Sequence, residues 1–189
     1  MRLIDIKTEK LQNAIVYFTR HTKFCGITKL MKLLYFFDFI HFRQTGKSVT
    51  GKNYFAWENG PVPVDVWKEL SGKEDIGLGL NRKVTLVPKG ERFKQVMAKQ
   101  GVKIDRDVFS EREFKLLKQV VDIFWDAKAD EMVEVSHLKN HPWEITKNTK
   151  GLDKLIEYEL ALDGSEDQLD SEIINERRAE IDEMERLFG

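Results

Sequence analysis

The chain is poor in cysteine, with Cys25 alone among 189 residues. A single thiol excludes an intramolecular disulfide, which fits a reducing compartment. Long hydrophobic runs are missing too. The best candidate, residues 30–42, is interrupted by Lys32, Asp38 and His41, short of the roughly 18 apolar residues that a membrane span needs. The opening MRLIDIKTEK has no apolar h-region of the kind a signal peptide carries. The expectation is a cytoplasmic protein with no membrane partner. Phosphate-binding Walker loops, G-x-G-x-x-G fingerprints and G-x-S-x-G elbows do not occur, and Gly77-Leu78-Gly79 neither follows a strand nor opens a helix. Internal repeats and low-complexity segments are also lacking.

What is there belongs to a globular protein: 41% hydrophobic and 33% charged residues. At this length a chain buries on the order of 70% of its unfolded surface, so no disulfide or metal staple is required. One domain over residues 1–162 with an acidic helical extension over 163–189 is the expected organisation. The formal net charge of −1 hides a division. Residues 1–105 carry 19 Lys and Arg against 10 Asp and Glu, whereas residues 106–189 carry 12 against 22. A basic half attracts an acidic protein or nucleic acid, and an acidic tail repels the latter.

Apolar periodicity predicts a mostly α fold with a small β element. Leu11, Ala14, Ile15 and Phe18 mark a first amphipathic helix, and Gly26 is read as a left-handed residue in the break that follows. The second helix, from Thr28 to a stop at Gly46, is apolar nearly all round and so should be the centre of the core. Residues 54–57 read as a strand, and Asn59-Gly60-Pro61 as a turn with positive φ at Gly60. Pro63 suits the first residue of a short helix through Leu70. Residues 82–87 read as a strand that Pro88-Lys89-Gly90 turns into a helix carrying Phe93, Val96 and Met97. Ser110 and Glu113 form a capping box. It opens a helix whose Phe114, Leu117, Val120, Val121, Phe124 and Trp125 should pack on the central one. A short helix near 129–138, a proline-enforced corner at His141-Pro142-Trp143 and a helix over 152–162 follow. The acidic segment beyond residue 163 presents Leu169, Ile173, Ile174, Ile181, Met184, Leu187 and Phe188 on one broad face.

Candidate chemistry is sparse. Cys25 with His21, His41 or His137 matches no local signature of a cysteine hydrolase, and reads as a half-buried thiol at a helix junction. Asp38 and His41, three apart on one helix, have the spacing of two metal ligands, but two ligands do not define a site. No catalytic, cofactor-binding or metal residue is assigned. Residues 83–93 (KVTLVPKGERF) resemble the wing-to-last-helix passage of winged-helix domains. In that reading Lys83, Lys89, Arg92 and Lys94 contact phosphates, and Tyr54, Phe55 and Trp57 are of the type that stacks on bases.

Residues 28–70 carry a more specific pattern: K-L-x-K-L-L-Y-F from Lys29 through Leu33 and Tyr35, then Asp38 and His41, Thr45-Gly46, and the segment from Tyr54 through Gly60-Pro61-Val62-Pro63. The helix after Ser110, the Ser136-His137 pair and Trp143 continue it. This ordered combination, over roughly residues 8–160, resembles the Panacea (SocA-like) antitoxin family. The resemblance implies a compact helical domain acting as the antitoxin of a two-gene toxin–antitoxin system, binding its cognate protein toxin directly. One branch of that family hands its toxin to a protease. The acidic segment after Gly164 lies outside the pattern. The expectation is that the motif residues maintain the scaffold, and that the basic half or Ile173, Ile174, Ile181, Met184 and Phe188 meet the toxin. The alternative is a winged-helix-like regulator that binds its own operator DNA.

Overall fold

A computed structural model describes residues 5–91 and 93–164, together with Gln168, Glu172, Ile173, Glu176, Ala179 and Arg186. Its first helix, α1 (Ile6–His21), starts at Asp5, whose carboxylate accepts the Lys7 N–H and so satisfies one of the free donors of the first turn. It buries Leu11, Ala14, Ile15 and Phe18, the stripe that the periodicity marks. The break that follows differs from expectation. Phe24 takes the left-handed conformation (φ 53°), while Gly26 is extended (φ −81°) and opens α2 (Ile27–Thr45). Gly26 is needed for space instead: a Cβ there would lie 2.8 Å from Phe93 Cε2 and 3.3 Å from the Lys94 carbonyl.

α2 is the axis of the fold. Leu30, Leu33, Leu34 and Phe37 are fully buried, each contributing about 1.5–3 kcal/mol relative to exposure. Gly46 ends the helix in the left-handed conformation (φ 73°) and donates to the Phe42 carbonyl at 2.7 Å.

β1 (Phe55–Trp57) and β2 (Gly60–Val62) form an antiparallel hairpin in which Trp57 faces Gly60 across a two-residue loop. Gly60 does have positive φ (98°), but it and Pro61 belong to the strand and not to the turn. Pro63 caps α3 (Val64–Leu70) from just outside. The helix expected over 152–162 is replaced by an extended stretch. Asp153 N–H donates to the Ala56 carbonyl, Ala56 N–H to Lys154, and Ile156 N–H to Tyr54, at 2.8–2.9 Å. The free edge of β1 needs partners for its backbone groups, and this demand outweighs local helical propensity. A short 3₁₀ turn remains at Tyr158–Ala161.

β3 (Val84–Pro88) pairs with β4 (Lys94–Ala98) in a second antiparallel hairpin. This overturns the expected helix through Phe93, Val96 and Met97. Those three residues have i, i+3, i+4 spacing, yet Val96 and Met97 also alternate buried and exposed as in a strand. The outer edge of β4 is tied to the α1–α2 junction, with Val96 N–H donating to the Cys25 carbonyl at 2.7 Å and Gly26 bridging Gln95. Pairing with a distant segment decides between the two readings. The winged-helix reading loses the helix it required after the strand.

α4 (Glu111–Phe124) has the predicted capping box, with Glu113 N–H to Ser110 Oγ at 3.2 Å and Ser110 N–H to Glu113 Oε2 at 2.8 Å. Lys10 pairs with the same carboxylate at 2.6 Å and ties α1 to the cap. Leu117, Val120 and Phe124 pack inward, and Phe124 stacks on Phe36 of α2 at 4.9 Å. Trp125, assigned to that apolar face, is instead 46% exposed. After α5 (Ala129–Ser136), Pro142 occupies the first turn of α6 (Pro142–Lys150), where its missing N–H costs nothing. The described residues are thus mostly α with two small sheets. Among the described residues no helix is long and apolar enough to cross a membrane. Of the apolar face beyond Gly164, Ile173 is described and exposed, whereas Leu169, Ile174, Ile181, Met184, Leu187 and Phe188 lie outside the described residues.

Candidate functional site

The motif residues converge on α2 and the loops that pack on it, and nearly all face inward. Asp38 is fully buried. Its Oδ1 accepts the backbone N–H groups of Val49 and Thr50 at 2.8 Å, and its Oδ2 accepts the Thr50 hydroxyl at 2.5 Å and the Tyr54 hydroxyl at 2.7 Å. Desolvation raises this carboxyl above the ordinary carboxylate value and the four donors oppose that rise. His41, one turn on, serves a different backbone group: its Nδ1 is 2.6 Å from the Lys47 carbonyl, so the Nδ1–H tautomer donates there. Burial holds the His41 imidazole below its ordinary value. The pair thus pins residues 47–50 to the helix end behind Gly46, and the Asp38 oxygens are engaged by those donors. Among the described residues no group of three or more His, Cys, Asp or Glu is placed to hold a metal ion.

Tyr54, considered above as a base-stacking residue, is fully buried and lies edge-on to Tyr35 and Phe39. Leu33 is core. Lys29 sends its ammonium beneath the α1–α2 junction, donating to the carbonyls of Lys23 (2.9 Å) and Ala127 (2.6 Å), with Trp125 at 3.5 Å. It therefore caps the carboxyl end of α4, where the helix dipole favours a cation. Burial lowers the Lys29 ammonium below its ordinary value.

The sequence reading missed Lys32. It is 1% exposed on α2 and donates to the Pro61 carbonyl at 3.0 Å. Among the described residues no carboxylate forms an ion pair with it, and burial pushes its ammonium down to about 7. The signal was present, because a lysine on a helix apolar all round has no solvated face to occupy. Gly60 is shaped around it: a Cβ at that position would lie 2.8 Å from Lys32 Cε, 3.0 Å from Nζ and 2.7 Å from Ser136 Oγ. His137, next to Ser136, stacks flat on Trp143 at 3.5 Å, and the Trp143 indole N–H donates to the Trp57 carbonyl at 2.8 Å. Desolvation, with Lys32 and Lys147 nearby, pushes the His137 imidazole down to about 4. The later motif residues thus fasten α5 and α6 to the β1–β2 hairpin. Cys25 is buried and its thiol is raised to about 11 by burial, so it is protonated and unreactive near neutral pH.

The exposed surface has a different composition. Phe24 (48%), Phe93 (36%), Met97 (36%) and Trp125 (46%) are large side chains left open to solvent. They surround the α1–α2 junction where β4 joins it. Lys23 lies over the Trp125 ring at 4.0 Å. Residues 82–103, which contain both strands of this hairpin, carry seven Lys and Arg against one acidic residue, Glu91. Lys83, Lys89 and Lys94, considered above as phosphate contacts, lie on it, and Arg92 lies outside the described residues.

A family model for the SocA-like antitoxin, Panacea domain, matches residues 30–144, more than half of the chain. No curated protein and no solved structure matches it. The matched span runs from the start of α2 through the two hairpins to Trp143, taking in the buried cluster around Asp38, Lys32 and Gly60, and the chain belongs to the SocA-like antitoxin, Panacea domain family.

Proposed function

We propose that this protein is the antitoxin of a two-gene toxin–antitoxin system and neutralises a cognate protein toxin by binding it directly. The observation that carries the reading is the family match over residues 30–144. The burial of the motif supports neutralisation by occlusion: Asp38, Tyr54, Lys29 and Trp143 are committed to internal hydrogen bonds, so a partner has to meet other residues. Protein recognition centres on a few aromatic and apolar anchors, and the surface offers these both at the β3–β4 hairpin and at Ile173. Delivery of the bound toxin to a protease is a second stage compatible with the same contact.

The test is expression of the adjacent reading frame's product with and without this protein. Rescue of growth and co-purification of the two chains are expected; a toxic product that this protein neither rescues nor binds would refute the reading. The half-life of the toxin with and without the protein separates simple occlusion from delivery to a protease. The basic hairpin favours one further reading, binding to the protein's own operator. That would appear as promoter binding whose affinity falls steeply between low and moderate salt.

A further inference from the structure

Taking the antitoxin reading as its basis, we infer that the toxin is gripped by the outer face of the β3–β4 hairpin together with the α1–α2 junction, and that its matching face is apolar at the centre and acidic at the rim. The bridge between Gly26 and Gln95 fixes the register of the junction against β4. It sets Phe24 level with Met97 and places Phe93 beside Gly26, where the phenyl ring already lies close to the backbone. Val96 and Cys25, the alternate residues, face the core. Phe24, Phe93 and Met97 therefore belong to one face. Lys23 carries that face on to Trp125, whose carbonyl accepts the Lys23 N–H. Such a surface has the anatomy of an interface centre, with aromatic residues and methionine enriched.

Phe24 holds a positive φ of 53°, a conformation that costs a bulky residue of order 1 kcal/mol or more and that collects at ligand clamps. Here it keeps a phenyl side chain in solvent. The surrounding segment is basic: Arg82, Lys83, Lys89, Lys94, Lys99 and Lys103 belong to it, against Glu91 there and Asp126 beside Trp125, and strand alternation puts Lys83 and Lys99 on the face of Met97. A cationic rim steers an acidic partner and repels a basic one. DNA would use the same cations, but it has no use for four exposed apolar side chains at the centre. Protein is therefore the occupant that accounts for both features.

The experiment measures affinity of the full chain for the product of the adjacent gene by calorimetry, with circular dichroism on each variant to check folding. Met97→Ser and Trp125→Ser should each weaken binding by about 30-fold, as truncated interface anchors do. Lys94→Glu with Lys99→Glu should slow association and flatten its salt dependence while leaving the fold intact. Phe93→Ser also touches Gly26, so Phe93→Leu accompanies it and should keep most of the affinity. Wild-type affinity in folded Met97→Ser, Trp125→Ser and the double charge reversal would overturn the assignment and leave the antitoxin reading standing. A wild-type chain that does not bind the toxin would remove both. Loss of operator binding in the charge-reversal variant, with toxin affinity kept, would give the hairpin to DNA and likewise overturn the assignment.

Discussion

The β1–β2 hairpin and the β3–β4 hairpin are of similar size and opposite character. The first is threaded into the core: Gly60, Pro61 and Val62 are buried, Lys32 holds the Pro61 carbonyl, and residues 153–156 complete its edge. The second lies against the α1–α2 junction, with Val84 and Val96 turned inward and Met97 and a row of cations turned to water. Both lie within the family match over residues 30–144, but the motif residues Tyr54, Gly60, Pro61 and Pro63 sit in or beside the first. A motif made of buried lysine, glycine and aspartate is fixed by packing and hydrogen bonding, so it identifies the fold; a partner-specific surface is free of those constraints.

Substitutions should separate the two regions by their effect on stability. The largest loss is expected at Asp38→Ala, which removes the acceptor for two backbone N–H groups and two hydroxyls in a dry interior. The cost is about 3–5 kcal/mol, read as a lowered urea midpoint. Next comes Gly60→Ala, which forces positive φ on a residue with a Cβ and drives that Cβ into Lys32 and Ser136; about 2–4 kcal/mol should be lost.

Lys32 gives a pH signature. Its folded value is about 7 against the ordinary 10.5. Between these values the unfolded chain binds a proton that the folded chain does not, so stability rises with pH, by up to about 1.4 kcal/mol per unit. The rise should be clearest from about pH 7 to 9. Above 9 the Cys25 thiol, raised to about 11, acts in the opposite sense because the folded chain keeps the proton that the unfolded chain loses. Lys32→Met should greatly reduce the slope, leaving the smaller contribution of Lys29, which burial lowers in the same sense, and an unchanged slope in that variant would show that the buried lysine does not cause it. The smallest effects are expected on the outer surface, where Met97→Ser and Ile173→Ser should each shift stability by no more than about 0.5 kcal/mol.

How far these regions could be read from sequence follows from how local their causes are. α1, α2 and α4 were legible because each carries its own signal: an apolar stripe, an apolar cylinder closed by Gly46, a capping box at Ser110 and Glu113. β4 and residues 152–156 were misread as helix because their structure is decided by partners far along the chain, Cys25 and Gly26 for the one and Tyr54 and Ala56 for the other. Gly26 was legible as a special position but not for the right reason, since its constraint is the Phe93 ring and not its own φ. The motif residues converge on α2 and the loops packed on it, whereas the sequence reads Phe24 as part of a break, Phe93 and Met97 as helix, and Trp125 as a core-facing residue. No periodicity joins residues from three separate segments; the fold assembles them.

The central claim is that the buried motif residues hold the scaffold while the proposed toxin surface is built from other residues. Its most direct test is the toxin affinity of Trp143→Phe, measured under conditions where the variant is fully folded. This change removes the indole hydrogen bond to the Trp57 carbonyl and should lower stability by about 1–2 kcal/mol. The account predicts an unchanged Kd for the toxin. A folded Trp143→Phe protein that had lost its affinity would place the motif in the binding surface and contradict it.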